Sequence, residues 1–211
     1  MRIGVSLAEP QGADPIGHLR EQITTAAADG FASGWLANIF GVDALTALAA
    51  AGQGVDGFEL GTAVVPTYPR HPITMAQQAL TTQAALQGRL ALGIGLSHQV
   101  VIEGMFGYSF DKPARHMREY LEVLVPLLRE GTAAFSGDTV QANVSLNASR
   151  EHPVPVLLAA LAPQMLRLAG SVADGTVLWM TGPATIENHI VPSLAAAAES
   201  AGRPSPRGVC T

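Results

Sequence analysis

Short apolar runs alternate with helical periods along most of this chain, and that alternation limits the possible folds more than any other feature. Arg2–Leu7, Gly34–Ala37, Phe58–Val65, Arg89–Gly95, Val154–Ala160 and Thr176–Met180 read as strands. Between and after them, Pro15–Asp29, Asp43–Ala51, Pro72–Leu86, Pro113–Arg129, Pro163–Val172 and Ala184–Ala201 read as helices. Asp14 is a ready N-cap, Pro15 and Pro72 suit first helical positions, and Gly30 suits a helix end. The rhythm breaks at two places. Leu96–Lys112 reads as a loop, and Ala133–Phe135 with Val140–Leu146 reads as a hairpin turning at Ser136-Gly137-Asp138. Strand–helix alternation argues a parallel α/β sheet with right-handed crossovers. Its natural closure is a TIM-type (β/α)8 barrel, a fold that typically takes about 250 residues.

Composition narrows the function classes. With 211 residues the chain is long enough for one domain, read here as 1–211. Only 14% of residues are charged and the net charge is −5, which disfavours both disorder and nucleic-acid binding. One cysteine, Cys210, excludes a disulfide scaffold. The longest apolar stretch, Val154 to Pro163, is about half of what a spanning helix needs, and the first residues hold no secretory apolar core. The expectation is a protein in a cytoplasmic, reducing location, without membrane or nucleic-acid partners.

Several motifs invite chemistry. Gly93-Ile94-Gly95-Leu96-Ser97-His98 brushes the dinucleotide fingerprint, but His98 stands where its last glycine belongs and no helix opens there. Gly95-Leu96-Ser97-His98-Gln99 likewise lacks the final glycine of a nucleophile elbow, so a serine hydrolase is set aside. The histidines at 18, 71, 98, 116, 152 and 189 show no metal-ligand spacing, and no metal is expected. His18, His116 and His189 fall on helices and read as solvated surface. His98 falls just past the C-terminal end of a strand, where barrel active sites are built. It reads either as a loop-stabilising side chain or as a proton donor. After the fifth strand, Ala159, Ala160 and Ala162 are either ordinary packing or a place where backbone approaches a ligand. The helix that follows offers free N–H groups to an anion. The three prolines of Pro66–Pro72 stiffen the turn after the third strand. Arg115–Tyr120 reads as charges able to form weak surface pairs at helical spacing, with a cofactor role possible but not required, and Asp174-Gly175 as a turn into the next strand.

Taken together, Gly61–Thr67, Arg89–Gly95, Pro113–Tyr120 and Ala173–Gly175 resemble the luciferase-like monooxygenase superfamily, specifically its coenzyme F420-dependent oxidoreductases. The resemblance runs from residue 1 to about 205. It implies a TIM barrel that binds a flavin-like ring at its C-terminal face. A bulge with a non-proline cis peptide, falling at Ala63-Val64, would back the ring. Gly95, Leu96, Ser97 and His98 would flank it, Asn38 and Ser97 would meet its polar edge, and backbone at Ala160, Leu161 and Ala162 would hold the phosphate. His98 becomes the candidate catalytic proton donor or acceptor. Members often carry an acidic residue and a histidine after strand two, where this chain has Asn38-Ile39, and some carry a glutamate where it has His98.

The implied activity is hydride transfer between a deazaflavin and a small organic substrate, with FMN as the alternative cofactor in a monooxygenase. A degenerate flavin-binding protein without catalysis is a further reading. Related barrels often pair, so a homodimer is possible. Members continue through strands seven and eight, whereas Pro206–Thr211 stops where strand seven begins. The expectation is therefore a barrel truncated after about six strand–helix units, with strands seven and eight missing.

Overall fold

The computed structural model describes residues 2–204 and 206–210. Its centre is a curled parallel sheet. The strands, in spatial order, are β1 (Gly4–Leu7), β2 (Ser33–Leu36), β3 (Glu59–Thr62), β5 (Leu90–Gly95), β8 (Val156–Ala159), β9 (Gly175–Leu178) and β10 (Arg207–Cys210). The two-residue β4 (Val65–Pro66) continues the line of β3 and pairs with β5. Every pair in this sheet is parallel. β6 (Thr132–Ser136) and β7 (Gln141–Ser145) form a separate antiparallel hairpin, close to the reading from sequence.

Helices α1 (Pro15–Ala28), α2 (Ala44–Ala51), α3 (Pro72–Ala85), α5 (Pro113–Arg129) and α6 (Pro163–Ser171) connect the strands. A short α7 (Pro183–Thr185), a π-turn over Ile186–Ile190 and α8 (Val191–Ser200) lead to β10. The caps explain the starts: Asp14 accepts from Gly17 N at 2.8 Å and Asp43 from Thr46 N at 2.9 Å. Gly30, at φ 86°, ends α1 by letting Phe31 N reach back to Ala26 O.

Two apolar layers result. The larger lies between the sheet and the helices and includes Leu7, Ile23, Leu36, Leu48, Leu60, Met75, Leu92, Ile94, Leu124 and Leu158. The smaller fills the concave side with Trp35, Ala91, Leu157 and Val177, and with Ala63, Val64 and Val209 packed against them. Strand alternation separates the two sets, and glycines on the concave side make room. A Cβ at Gly61 would stand 2.2 Å from the Trp35 ring, so the indole needs that glycine beneath it.

Three expectations need correction. Arg207–Cys210 is a seventh parallel strand, in register with Gly175–Leu178, so strand seven is not missing. Four residues suffice because β9 supplies a ready ladder edge, and Arg207 Nη1 adds contacts of 3.0 and 2.9 Å to the two Glu59 carboxylate oxygens across the concave side. Thr211 of that segment lies outside the described residues. Leu96–Lys112 is not wholly loop, since Gln99–Gly104 forms α4. Six residues with one buried side chain, Ile102, are too few to show a helical period. The strand read as Phe58–Val65 is split in two by a bulge at Ala63 and Val64.

Candidate functional site

The C-terminal ends of the strands form an open mouth. The bulge dominates it. Gly61 faces Ala91 and Val65 faces Ile94, so four steps along one strand match three along the other. The Ala63-Val64 peptide is cis, as the resemblance implies. Ala63 N donates to Leu36 O at 2.9 Å, which ties the bulge to the end of β2. A Cβ at Gly95 would fall 2.7 Å from Val64 Cγ2 and 3.2 Å from Ala159 Cβ. Val64, Gly95 and Ala159 therefore meet at one point, joining the ends of three strands.

The other candidates surround this point. Asn38 follows β2 by two residues and is half-buried; its Oδ1 accepts from Ala44 N at 2.9 Å. Leu96 and Ser97 are half-buried, and Ser97 takes a left-handed φ of 62°. That turn swings His98 out of line with β5. His98 is exposed, stands at the N-cap of α4, and makes no capping bond with its side chain. Ala160 is buried, whereas Leu161 and Ala162 are exposed. α6 starts after Ala162 with no side-chain cap.

Large apolar side chains lie open around the mouth. Ile39 is 59% exposed, Phe40 62%, Leu161 50%, Trp179 65% and Met180 83%. Val100, Met105, Phe106 and Tyr108 are further exposed apolar residues on α4 and just after it, and Phe106 stacks with Tyr108. So many exposed apolar residues at one end of a sheet mark a binding face. Of this rim only Leu161 was singled out in the sequence, and that for its backbone. The rim's signal is position: Ile39 and Phe40, Leu161, and Trp179 and Met180 come shortly after the ends of β2, β8 and β9. Two hollows of about 190 and 470 Å³ lie elsewhere, against α3 and the N-terminal side of the sheet, and contain none of the candidate residues.

Two expectations near the mouth need correction. His116 is not a solvated surface residue. It is 8% exposed, stacked at 4.1 Å on Tyr68, and burial lowers its pKa although Glu119 opposes this. The Arg115–Tyr120 run is a surface cluster only in part: Arg118 is exposed and Arg115 pairs with Asp138, whereas the rest turns inward. Glu119 is buried and accepts from Thr139 N at 2.7 Å, Thr139 Oγ1 at 2.8 Å and Val140 N at 3.3 Å. Burial alone would raise its pKa, but these donors outweigh it and the pKa is lowered. Tyr120 OH donates to Arg70 O at 2.9 Å. The hairpin and the turn after β4 cover this helix face, which periodicity along α5 does not reveal.

A half-barrel of parallel strands with a bulged third strand and an apolar C-terminal mouth has the architecture of the parallel α/β barrels, whose sites lie at the strand ends. The luciferase-like monooxygenase family model matches residues 1–209, and the chain belongs to that family. It is 31% identical, over 193 residues, to a putative coenzyme F420-dependent oxidoreductase of Mycobacterium tuberculosis, matching 83% of this chain and 54% of that relative. The chain thus spans about half the length of that relative. Among solved structures it is similar to the coenzyme F420-dependent tetrahydromethanopterin reductase of Methanopyrus kandleri, with a TM-score of 0.84, 24% identity, and coverage of 99% of this chain and 65% of that one. It is also similar to the oxygenating constituent of 3,6-diketocamphane monooxygenase from Pseudomonas putida in complex with FMN. There the TM-score is 0.80 and the identity 16%, over 100% of this chain and 66% of that one.

Proposed function

We propose that this chain binds the deazaflavin coenzyme F420 at its C-terminal mouth and belongs to an oxidoreductase acting on a small organic substrate. The observation that carries the reading is the bulge at Ala63 and Val64, set among apolar side chains that no described residue covers. The residues fit such a group. Val64, Gly95 and Ala159 offer a flat apolar backing, and Ile39, Leu161 and Trp179 flank it. Ala160 to Gln164 carries no acidic side chain, so the uncapped start of α6 would not repel an anionic tail.

When bound, the coenzyme supplies hydride chemistry that no side chain here can perform. The chain's own part is to hold, orient and exchange a proton. Ala63 and Val64 would back the ring. Asn38 would donate its amide N–H groups to the ring's polar edge, and Ser97 would meet the same edge. Gly95 and Leu96 would flank the ring, while backbone at Ala160, Leu161 and Ala162 would seat the phosphate. His98, exposed and without a capping bond, would donate or accept the substrate proton. The apolar rim favours a substrate with an uncharged, apolar body.

FMN is the second reading, since a flat ring with a single phosphate fits the same backing and a similar fold holds FMN. Titration of the chain with coenzyme F420 and with FMN, followed by fluorescence, tests both. Saturable binding of F420 in preference to FMN supports the first reading, and the reverse supports the second. Binding of neither overturns both.

A further inference from the structure

We propose that Thr62 is a positioning residue for the cofactor site; the assignment rests on the reading above. At the bulge β3 carries one residue more than β5, so backbone pairing between them lapses after Gly61–Ala91 and resumes at Val65–Ile94. Gly93 lies inside that gap, is buried, and its N–H and C=O find no backbone partner on the bulged strand. The Thr62 hydroxyl takes the place of both. It accepts from Gly93 N at 2.9 Å and donates to Gly93 O at 2.8 Å. One hydroxyl can do this, having one hydrogen and two lone pairs. Thr62 is fully buried, so no water competes for these bonds.

The consequence falls on the site. Thr62 is bonded directly to Ala63, so the clamp on Gly93 fixes the point at which Ala63 and Val64 leave the sheet. The approach is close: a Cβ at Gly93 would stand 1.9 Å from Thr62 O, and one at Gly95 would stand 2.7 Å from Val64 Cγ2. Glycines admit the bulged chain here, and across the gap in the β3–β5 pairing the Thr62 hydroxyl holds it to β5. Thr62 touches no ligand itself; it acts through Val64 and Gly95.

Thr62→Val keeps the shape and removes the hydroxyl, and Thr62→Ser keeps the hydroxyl. Coenzyme F420 titrations should show Thr62→Val weakened by about tenfold, the scale of one buried donor left unmatched. Thr62→Ser should stay within about twofold. Equal affinity of Thr62→Val and the parent chain, or equal loss in Thr62→Ser, overturns the proposal. If Thr62→Val fails to fold, Thr62→Ala replaces it in the same comparison. If the parent chain binds no F420, the cofactor reading fails, and amide exchange then judges Thr62 alone. Faster exchange at Gly93 than at Leu92 in the hydroxyl-free variant, restored in Thr62→Ser, upholds the clamp. Unchanged exchange at Gly93 overturns it.

Discussion

The two ends of the half-barrel are built in opposite ways. At the N-terminal end, side chains close on backbone and on one another. Asp174 accepts from Val156 N at 2.9 Å, Arg129 at 3.1 Å and Arg203 at 3.4 Å. Gln83, 2% exposed, donates to Pro153 O and accepts from Leu90 N at 2.7 Å. Arg89 donates to Gly52 O at 2.7 Å and Phe58 O at 3.2 Å, and Arg207 grips Glu59. At the C-terminal end, His98 makes no capping bond, the start of α6 is uncapped, and large apolar groups face outward. One end spends its polar groups on holding strands together. The other leaves groups unmatched and surface uncovered, as a binding face requires.

The contrast breaks most readily at Gln83. Gln83→Leu strands the buried Leu90 N–H and should lower unfolding free energy by about 2–3 kcal/mol in a denaturant titration. A loss under about 0.5 kcal/mol would show that the N-terminal end is not stapled in this way.

Glu119 gives the next effect. Glu119→Gln should lose about 1–2 kcal/mol at pH 7, because three donors then face a neutral amide. Glu119 has a lowered pKa when folded, so its stabilisation is present above about pH 4.5 and is lost as pH falls through the folded value. The parent chain should therefore lose stability in acid more steeply than the variant, and parallel pH profiles would contradict this.

His116 acts in a higher range. Its folded pKa is lowered by burial, so below the ordinary 6.5 the unfolded chain binds the proton more readily and stability declines. His116→Phe should flatten the melting profile between about pH 6.5 and pH 5. An unchanged slope there would remove His116 from the account.

The smallest stability effect belongs to the open end. His98→Ala should change unfolding free energy by less than about 0.5 kcal/mol, since the side chain is exposed and caps nothing. In the active protein the same change should cut turnover while leaving coenzyme affinity nearly unaltered. Unaltered turnover would take His98 out of the mechanism.

Much of the frame was legible in the chain because its signals are local. Asp14-Pro15, Asp43 and Pro72 mark helix starts through side chains that act within a turn, and each start lies within a residue of its reading. The bulge was legible only by resemblance. Nothing in Thr62-Ala63-Val64 announces a bulge, because the extra residue exists only against β5. His116 and Glu119 misled for a related reason: their burial comes from the turn after β4 and from the β6–β7 hairpin, not from their own helix. Trp179 and Met180 read as the end of an apolar strand, whereas β9 stops at Leu178 and leaves both in the open.

Amide hydrogen exchange with and without coenzyme F420 tests the central claim most directly. The account predicts slowed exchange confined to Thr62–Val65, Gly95–His98 and the first residues of α6. Protection centred instead on Gln83, Leu90 and Val156, or no protection anywhere at saturating coenzyme, would contradict it.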